Sequence, residues 1–128
     1  MRVFIIGTGR CGTTTFSMAC KHFSNYTSKH ESTNGRISTL DFPDNHIESE
    51  PGLVWCLPQL IEKYPDALYV HLLRDKTRCV KSLSKRSSLD YYAKFTERVG
   101  RNNYSRNVLA NNYYDFVVST VELYFKTY

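Results

Sequence analysis

Apolar residues fall into short strand-length runs in the first half of the chain and into helical spacing towards its end. Val3 to Ile6 is an apolar run of strand length and predicts a buried parallel strand. It stops at Gly7-Thr8-Gly9, and helical character resumes from Thr13 to about Phe23, with Phe16, Met18, Ala19 and Phe23 expected to be buried. Asn25-Tyr26-Thr27-Ser28 reads as a polar turn, and Asn34-Gly35 as another. Ile37 to Leu40 fits a short edge strand or a loop, closed by Phe42-Pro43-Asp44-Asn45, and His46-Ile47-Glu48 is too brief to assign by period. Pro51 starts a helix containing Leu53, Trp55, Leu57, Leu60 and Ile61, and Pro58 is placed to split it.

Ala67 to Leu73 is the clearest strand, apolar almost throughout, and is expected to be central and parallel. Arg74-Asp75 ends it, and a basic helix follows to about Leu83. Leu89 to Val99 and Asn107 to Phe125 read as helices, the second carrying Tyr113, Phe116, Val117, Val121 and Tyr124 at i, i+3, i+4 spacing. Strands alternating with helices predict an α/β fold with a central parallel sheet, and the 128 residues suit a single domain.

A hydrophobic fraction of 41% and ten tyrosines support a packed core. The mean hydropathy of −0.43 and the lack of a long apolar run predict no membrane span. The chain opens directly into its first strand, so no signal peptide is expected. Cys11, Cys20, Cys56 and Cys79 form no CxxC pair and no metal-ligand spacing; reduced thiols, a cytoplasmic location and no metal site are the expectations. Charge changes the picture more. Between Arg74 and Arg86 lie Arg74, Lys76, Arg78, Lys81, Lys85 and Arg86 against Asp75 alone, a surplus equal to the whole net charge of +5. Such a cluster suits nucleic acid, a membrane surface or a small polyanion. Without an aromatic-interleaved RNA motif or a recognition helix, a nucleotide-sized anion fits better than nucleic acid.

The first turn supplies candidate chemistry for that anion. Strand, glycine-rich turn and helix together aim several backbone N–H groups and a helix N-terminus at one point. Gly7 and Gly12 have the spacing of a Walker A loop, but Thr13 and Thr14 follow where Lys then Ser/Thr would stand, and a cation sits inside the loop at Arg10. Arg10-Cys11-Gly12-Thr13-Thr14 resembles the 5′-phosphosulfate loop of the sulfotransferase family, Lys/Arg-Ser-Gly-Thr-Thr, with Cys11 where serine is usual. Arg74 with Ser82 eight residues on resembles that family's 3′-phosphate motif, Arg-x-Pro-x-x-x-x-x-Ser, with Lys76 where proline is common. The run from Leu60 to Arg74 also resembles the family's approach to that arginine, and the likeness covers roughly residues 2 to 86.

The resemblance implies a P-loop-like three-layer α/β/α domain and the co-substrate 3′-phosphoadenosine 5′-phosphosulfate (PAPS), with PAP as product and no metal. Gly9, Arg10, Cys11, Gly12, Thr13, Thr14 and Thr15 would hold the 5′ end, and Arg74 and Ser82 the 3′-phosphate. The implied reaction is in-line sulfuryl transfer to a hydroxyl or amine of a carbohydrate, peptide or small molecule, with Arg10 stabilising the leaving charge. For the general base, Glu31 is the first choice by its distance from the loop cation, and His46 the runner-up; His30 and Glu48 are weaker candidates. Family members commonly run well beyond this length, so the resemblance implies a short or C-terminally truncated member. A P-loop kinase or NTPase, and a non-catalytic nucleotide- or polyanion-binding remnant, are the alternative readings.

Overall fold

The computed structural model describes residues 1–34, 40–98 and 104–127. Four parallel strands, β1 (Arg2–Ile6), β2 (Thr27–His30), β3 (His46–Ser49) and β4 (Leu68–His71), form one sheet in the order β2-β3-β1-β4. Among the described residues five α-helices accompany them: α1 (Thr13–Cys20), α2 (Leu57–Lys63), α3 (Lys76–Leu83), α4 (Leu89–Arg98) and α5 (Arg106–Thr127). The fold is α/β with an all-parallel sheet, and among the described residues no helix is long and apolar enough to cross a membrane.

β1 lies inside the sheet, which is why its residues are apolar on both faces. Phe4 and Ile6, fully buried, pack with Leu53, Val54, Leu57, Leu60, Val117 and Val121, beneath the Pro51–Cys56 3₁₀ helix, α2 and α5. Ile5 points the other way and packs with Ile47 and Cys20, with Phe16 alongside, beneath α1. Helices therefore cover both faces. Each such large side chain contributes about 1.5–3 kcal/mol on burial. A third cluster joins α3, α4 and α5 through Cys79, Val80, Leu83, Leu89, Tyr92, Leu109 and Ala110.

Several sequence expectations need correction. The first helix ends at Cys20, and its buried residues are Thr13, Ser17 and Cys20; Met18, Ala19 and Phe23 are exposed. Small residues on that face let the helix approach β2 closely, where Ser17 Oγ and Ser28 Oγ are 3.2 Å apart. The supposed polar turn at residues 25–28 leads into β2, whose Thr27 to His30 alternate exposed and half-buried as suits an edge strand. The unassigned His46–Ser49 is an inner strand and wholly buried. β4 is parallel but stands at the sheet's edge, paired with β1. Its apolar run reflects two covered faces, not two strand neighbours: Tyr69 and His71 meet Phe125 of α5, while Val70 and Leu72 join the cluster under α1. The helix begun at Pro51 divides into the 3₁₀ turn and α2, with Pro58 in the first turn of α2, where a proline costs no hydrogen bond. Ile37 to Ser38 and Thr39, read as edge strand or loop, lie outside the described residues, as does Val99.

Because all four strands run in one direction, every segment that follows a strand emerges at the same edge of the sheet. The glycine-rich loop, the turn at 31–34, Glu50 and the Arg74 connection gather there, the usual place for ligands in such sheets.

Candidate functional site

The loop is held open by its backbone. Gly7 has no room for a side chain: a Cβ there would lie 2.6 Å from the Leu72 carbonyl oxygen and 2.8 Å from Cys11 Sγ. Gly9 and Gly12 take φ of 20° and 108°, and between them Arg10 is left-handed at φ 62°. A non-glycine residue in that region costs of order 1 kcal/mol, so something must hold it. Two contacts do. Arg74 Nη1 donates to the Arg10 carbonyl at 2.8 Å, and Arg10 Nε donates to Ser82 Oγ at 3.0 Å. Beneath the loop, Thr8 Oγ1 and Cys79 Sγ are 3.1 Å apart, and Cys79 Sγ donates to the Gly9 carbonyl. Burial pushes the Cys11 and Cys79 thiols up, with Cys79 adding to the effect at Cys11, so both stay protonated packing groups.

Gly12 is the N-cap of α1 and supplies no side-chain cap, and the first turn contains no acid. The amides at this end are therefore aimed into open space beside Arg10. Above them lies a cleft of about 610 Å³ whose wall includes Arg10, Thr14, Thr15, Glu31, Arg74 and Arg86. Gly9, Gly12 and Thr13 contribute as well, Cys11 is buried beneath the loop, and Ser82 enters by holding Arg10. The residues singled out in the loop and at Arg74 thus meet in one cleft with Glu31. Asp75, the only acid of the basic run, is occupied as N-cap of α3, accepting from the Arg78 amide at 2.9 Å. Among the described residues the cleft accordingly holds three guanidinium groups against one carboxylate.

Glu31 reaches the cleft through a left-handed residue at the end of β2, φ 51°, whose amide donates to the Ser49 carbonyl at 3.2 Å. The turn after it is anchored from below by two buried acids. Glu48 accepts from the Ser32 amide at 3.1 Å and from the Ser32 hydroxyl, and Glu50 accepts from the Thr33 amide at 3.3 Å and the Thr33 hydroxyl. Burial pushes Glu48 up, but hydrogen bonds from His46 and Ser32 outweigh it and leave the carboxyl below its ordinary value. Burial dominates at Glu50, aided by repulsion from Glu48 and Glu31, and that carboxyl sits above its ordinary value despite the Thr33 bonds.

His46 does not belong to the cleft. It pairs in register with Arg2 and Thr27 at the amino edge of the sheet, about 10 Å of strand away from Ser49. It is 2% exposed and occupied on both nitrogens, with Thr27 Oγ1 at 2.7 Å and Glu48 Oε2 at 3.1 Å. Glu48, fully buried, is likewise a structural acid. His30 is better placed than its sequence signal suggested: its ring lies between Thr14 Oγ1, 2.9 Å from Nε2, and the Ser49 carbonyl, 2.6 Å from Nδ1. Arg86, with Ser87 and Ser88, was not singled out as a site residue; its place in the basic run was the available signal.

Among the described residues no group of three or more His, Cys, Asp and Glu side chains is arranged to hold a metal ion. Comparison of the chain with protein-family models, curated proteins and solved structures found no match.

Proposed function

We propose that the chain is a sulfotransferase that takes PAPS as donor and passes its sulfuryl group to an acceptor hydroxyl or amine. The observation that carries this reading is the meeting, in one cleft, of a lysine-free glycine loop with an internal arginine, a second cationic anchor at Arg74, and an exposed carboxylate at Glu31. A ligand with anionic groups at two ends explains two anchors better than a nucleoside triphosphate does, because the lysine that would reach the outer phosphates of a triphosphate is replaced by Thr13. The cleft volume lies in the range of nucleotide-sized pockets.

In this reading the amides of Gly12 to Thr14 and the guanidinium of Arg10 bind the 5′ end and meet the charge that develops on the leaving phosphate. Arginine stays protonated, so Arg10 acts through charge and hydrogen bonds and not as an acid. Arg74 and Arg86 take the other anionic end. Glu31 receives the proton of the acceptor as its oxygen or nitrogen bonds to sulfur and the phosphate oxygen leaves. Calorimetric titration with PAP and, separately, with ATP and magnesium tests the donor site. Tight PAP binding that Arg10→Ala and Arg74→Ala each weaken is expected; preference for ATP with magnesium would favour a kinase or NTPase.

A further inference from the structure

We infer that His30 is a proton-coupled member of the anion site, so that a bound anion draws a proton onto its ring. The choice of PAP as probe rests on the sulfotransferase reading; the coupling itself follows from hydrogen-bond bookkeeping at three atoms.

His30 Nδ1 lies 2.6 Å from the Ser49 carbonyl oxygen, which can only accept, so Nδ1 carries a hydrogen. In the neutral ring Nε2 then has only a lone pair. Its partner at 2.9 Å, Thr14 Oγ1, must be the donor. That commits the single hydroxyl hydrogen of Thr14 to the histidine and leaves its lone pairs to face the cleft, the wrong polarity for an anion. Protonation at Nε2 reverses the bond without moving a heavy atom. The ring now donates, Thr14 accepts, and the threonine hydrogen is free to turn to the ligand while the cleft gains a positive charge.

The surrounding charges set the balance. Glu31, on the turn after β2, has Oε1 3.6 Å from Nε2 and favours the protonated ring. Arg10 of the loop, Arg74 after β4 and Arg86 after α3 share the cleft and oppose it. Lys21, just after α1, and Lys29 of β2 line the neighbouring groove that His30 also borders, and they too oppose it. Beyond these, Glu48 of β3 and Glu50 after it are tied to Ser32 and Thr33. An incoming anion offsets the arginines, and the proton follows.

Calorimetry of wild-type protein with PAP at about pH 7.5, in two buffers of different ionisation enthalpy, reads the proton count directly. The expected result is greater proton uptake than in His30→Gln, and a wild-type affinity that falls more steeply with rising pH than that of the variant. The glutamine amide stands near the ring's Nε2 and donates to Thr14 at every pH, so H30Q should lose the pH dependence that the ring adds, whatever its absolute affinity. Equal uptake in the two proteins would overturn the inference. Nitrogen NMR of the wild-type ring is a second measurement that needs no variant. It should show the Nδ1–H tautomer in the free protein and a doubly protonated ring on adding sulfate, which does not titrate in this range. An Nε2–H tautomer, or a ring that stays neutral with sulfate bound, would also overturn it. Sulfate coupling without PAP binding would sink the nucleotide reading alone; binding of neither anion would sink both.

Discussion

The side chain of Arg74 holds the main chain of Arg10: Nη1 donates to the Arg10 carbonyl at 2.8 Å, although both residues carry positive charge. The bond stabilises the left-handed conformation at Arg10 and fixes the distance between two cations that would otherwise separate. Arg74 is itself held from behind, where Tyr114 Oη of α5 donates to its carbonyl at 2.9 Å. Arg74→Ala should therefore cost PAP affinity twice, through the lost anchor and the loosened loop. A charge-assisted bond is worth about 1.5–3 kcal/mol, so weakening of at least about tenfold is expected by calorimetry. Arg74→Lys keeps the charge but not the planar reach and should recover only part of it. A PAP affinity unchanged in Arg74→Ala would remove Arg74 from the site.

Gly7 and Gly12 should respond differently to alanine. At Gly7 the added Cβ meets a backbone oxygen at 2.6 Å, and the shift this forces on β4 should lower the melting temperature of the whole chain, by about 1–3 kcal/mol in stability terms. At Gly12 nothing lies within 4 Å, and the cost is the positive φ alone, of order 1 kcal/mol. Its main effect should appear in anion affinity, because the strain falls on the amides that face the cleft. Thermal melts with and without PAP separate the two.

The acids beneath the turn give opposite pH behaviour. Glu48 has a depressed value in the fold, so its stabilisation is complete above the ordinary carboxylate range and is lost as pH falls through the lower folded value. Glu50 has a raised value, so folding favours its protonated form, and that share is lost as pH rises through the folded value. At neutral pH Glu48→Gln should destabilise by about 1–3 kcal/mol, since it disturbs the buried hydrogen bonds with His46 and Ser32, whereas Glu50→Gln should be neutral or stabilising. Denaturant melts at neutral and mildly acidic pH check both signs. Stabilisation by Glu48→Gln at neutral pH would contradict the assignment.

Glu31→Gln should separate binding from transfer. The side chain is exposed, lines the cleft and has Oε1 3.6 Å from His30 Nε2, so its loss should change PAP affinity far less than it changes transfer. Sulfuryl transfer from PAPS to a responsive acceptor should fall by about 100- to 10,000-fold. Near-wild-type transfer would exclude Glu31 as the base.

What the sequence disclosed was whatever depends on neighbours in the chain. The glycines of the first loop, the apolar run of β1 and the i, i+3, i+4 stripe of α5 are local patterns, and each element stands where its pattern put it. β2 carries no such pattern, because Thr27-Ser28-Lys29-His30 becomes a strand through its pairing with β3. The status of His46 also needed the register: a histidine before a strand's end can face either edge of a sheet, and pairing with Arg2 sends this one to the edge away from the loop. Glu48 stood in the sequence only as a weaker candidate base and Glu50 carried no signal, because their burial and their bonds to Ser32 and Thr33 depend on the fold. His30 needed the third dimension most, since its partners Thr14 and Ser49 come from two other segments.

The sheet order carries a further consequence for how the protein is made. β1 is synthesised first, yet both of its partners, β3 and β4, come later in the chain. On a ribosome its apolar residues have no native edge to pair with until Ser49 has emerged, and one side of β1 stays unpaired until His71 follows. A hydrophobic segment that waits unpaired is exposed to association with other chains, and long-range parallel pairing is slow to form. Synthesis of this chain should therefore depend on chaperones that shield Val3 to Ile6, and fragments ending before β4 should aggregate instead of folding.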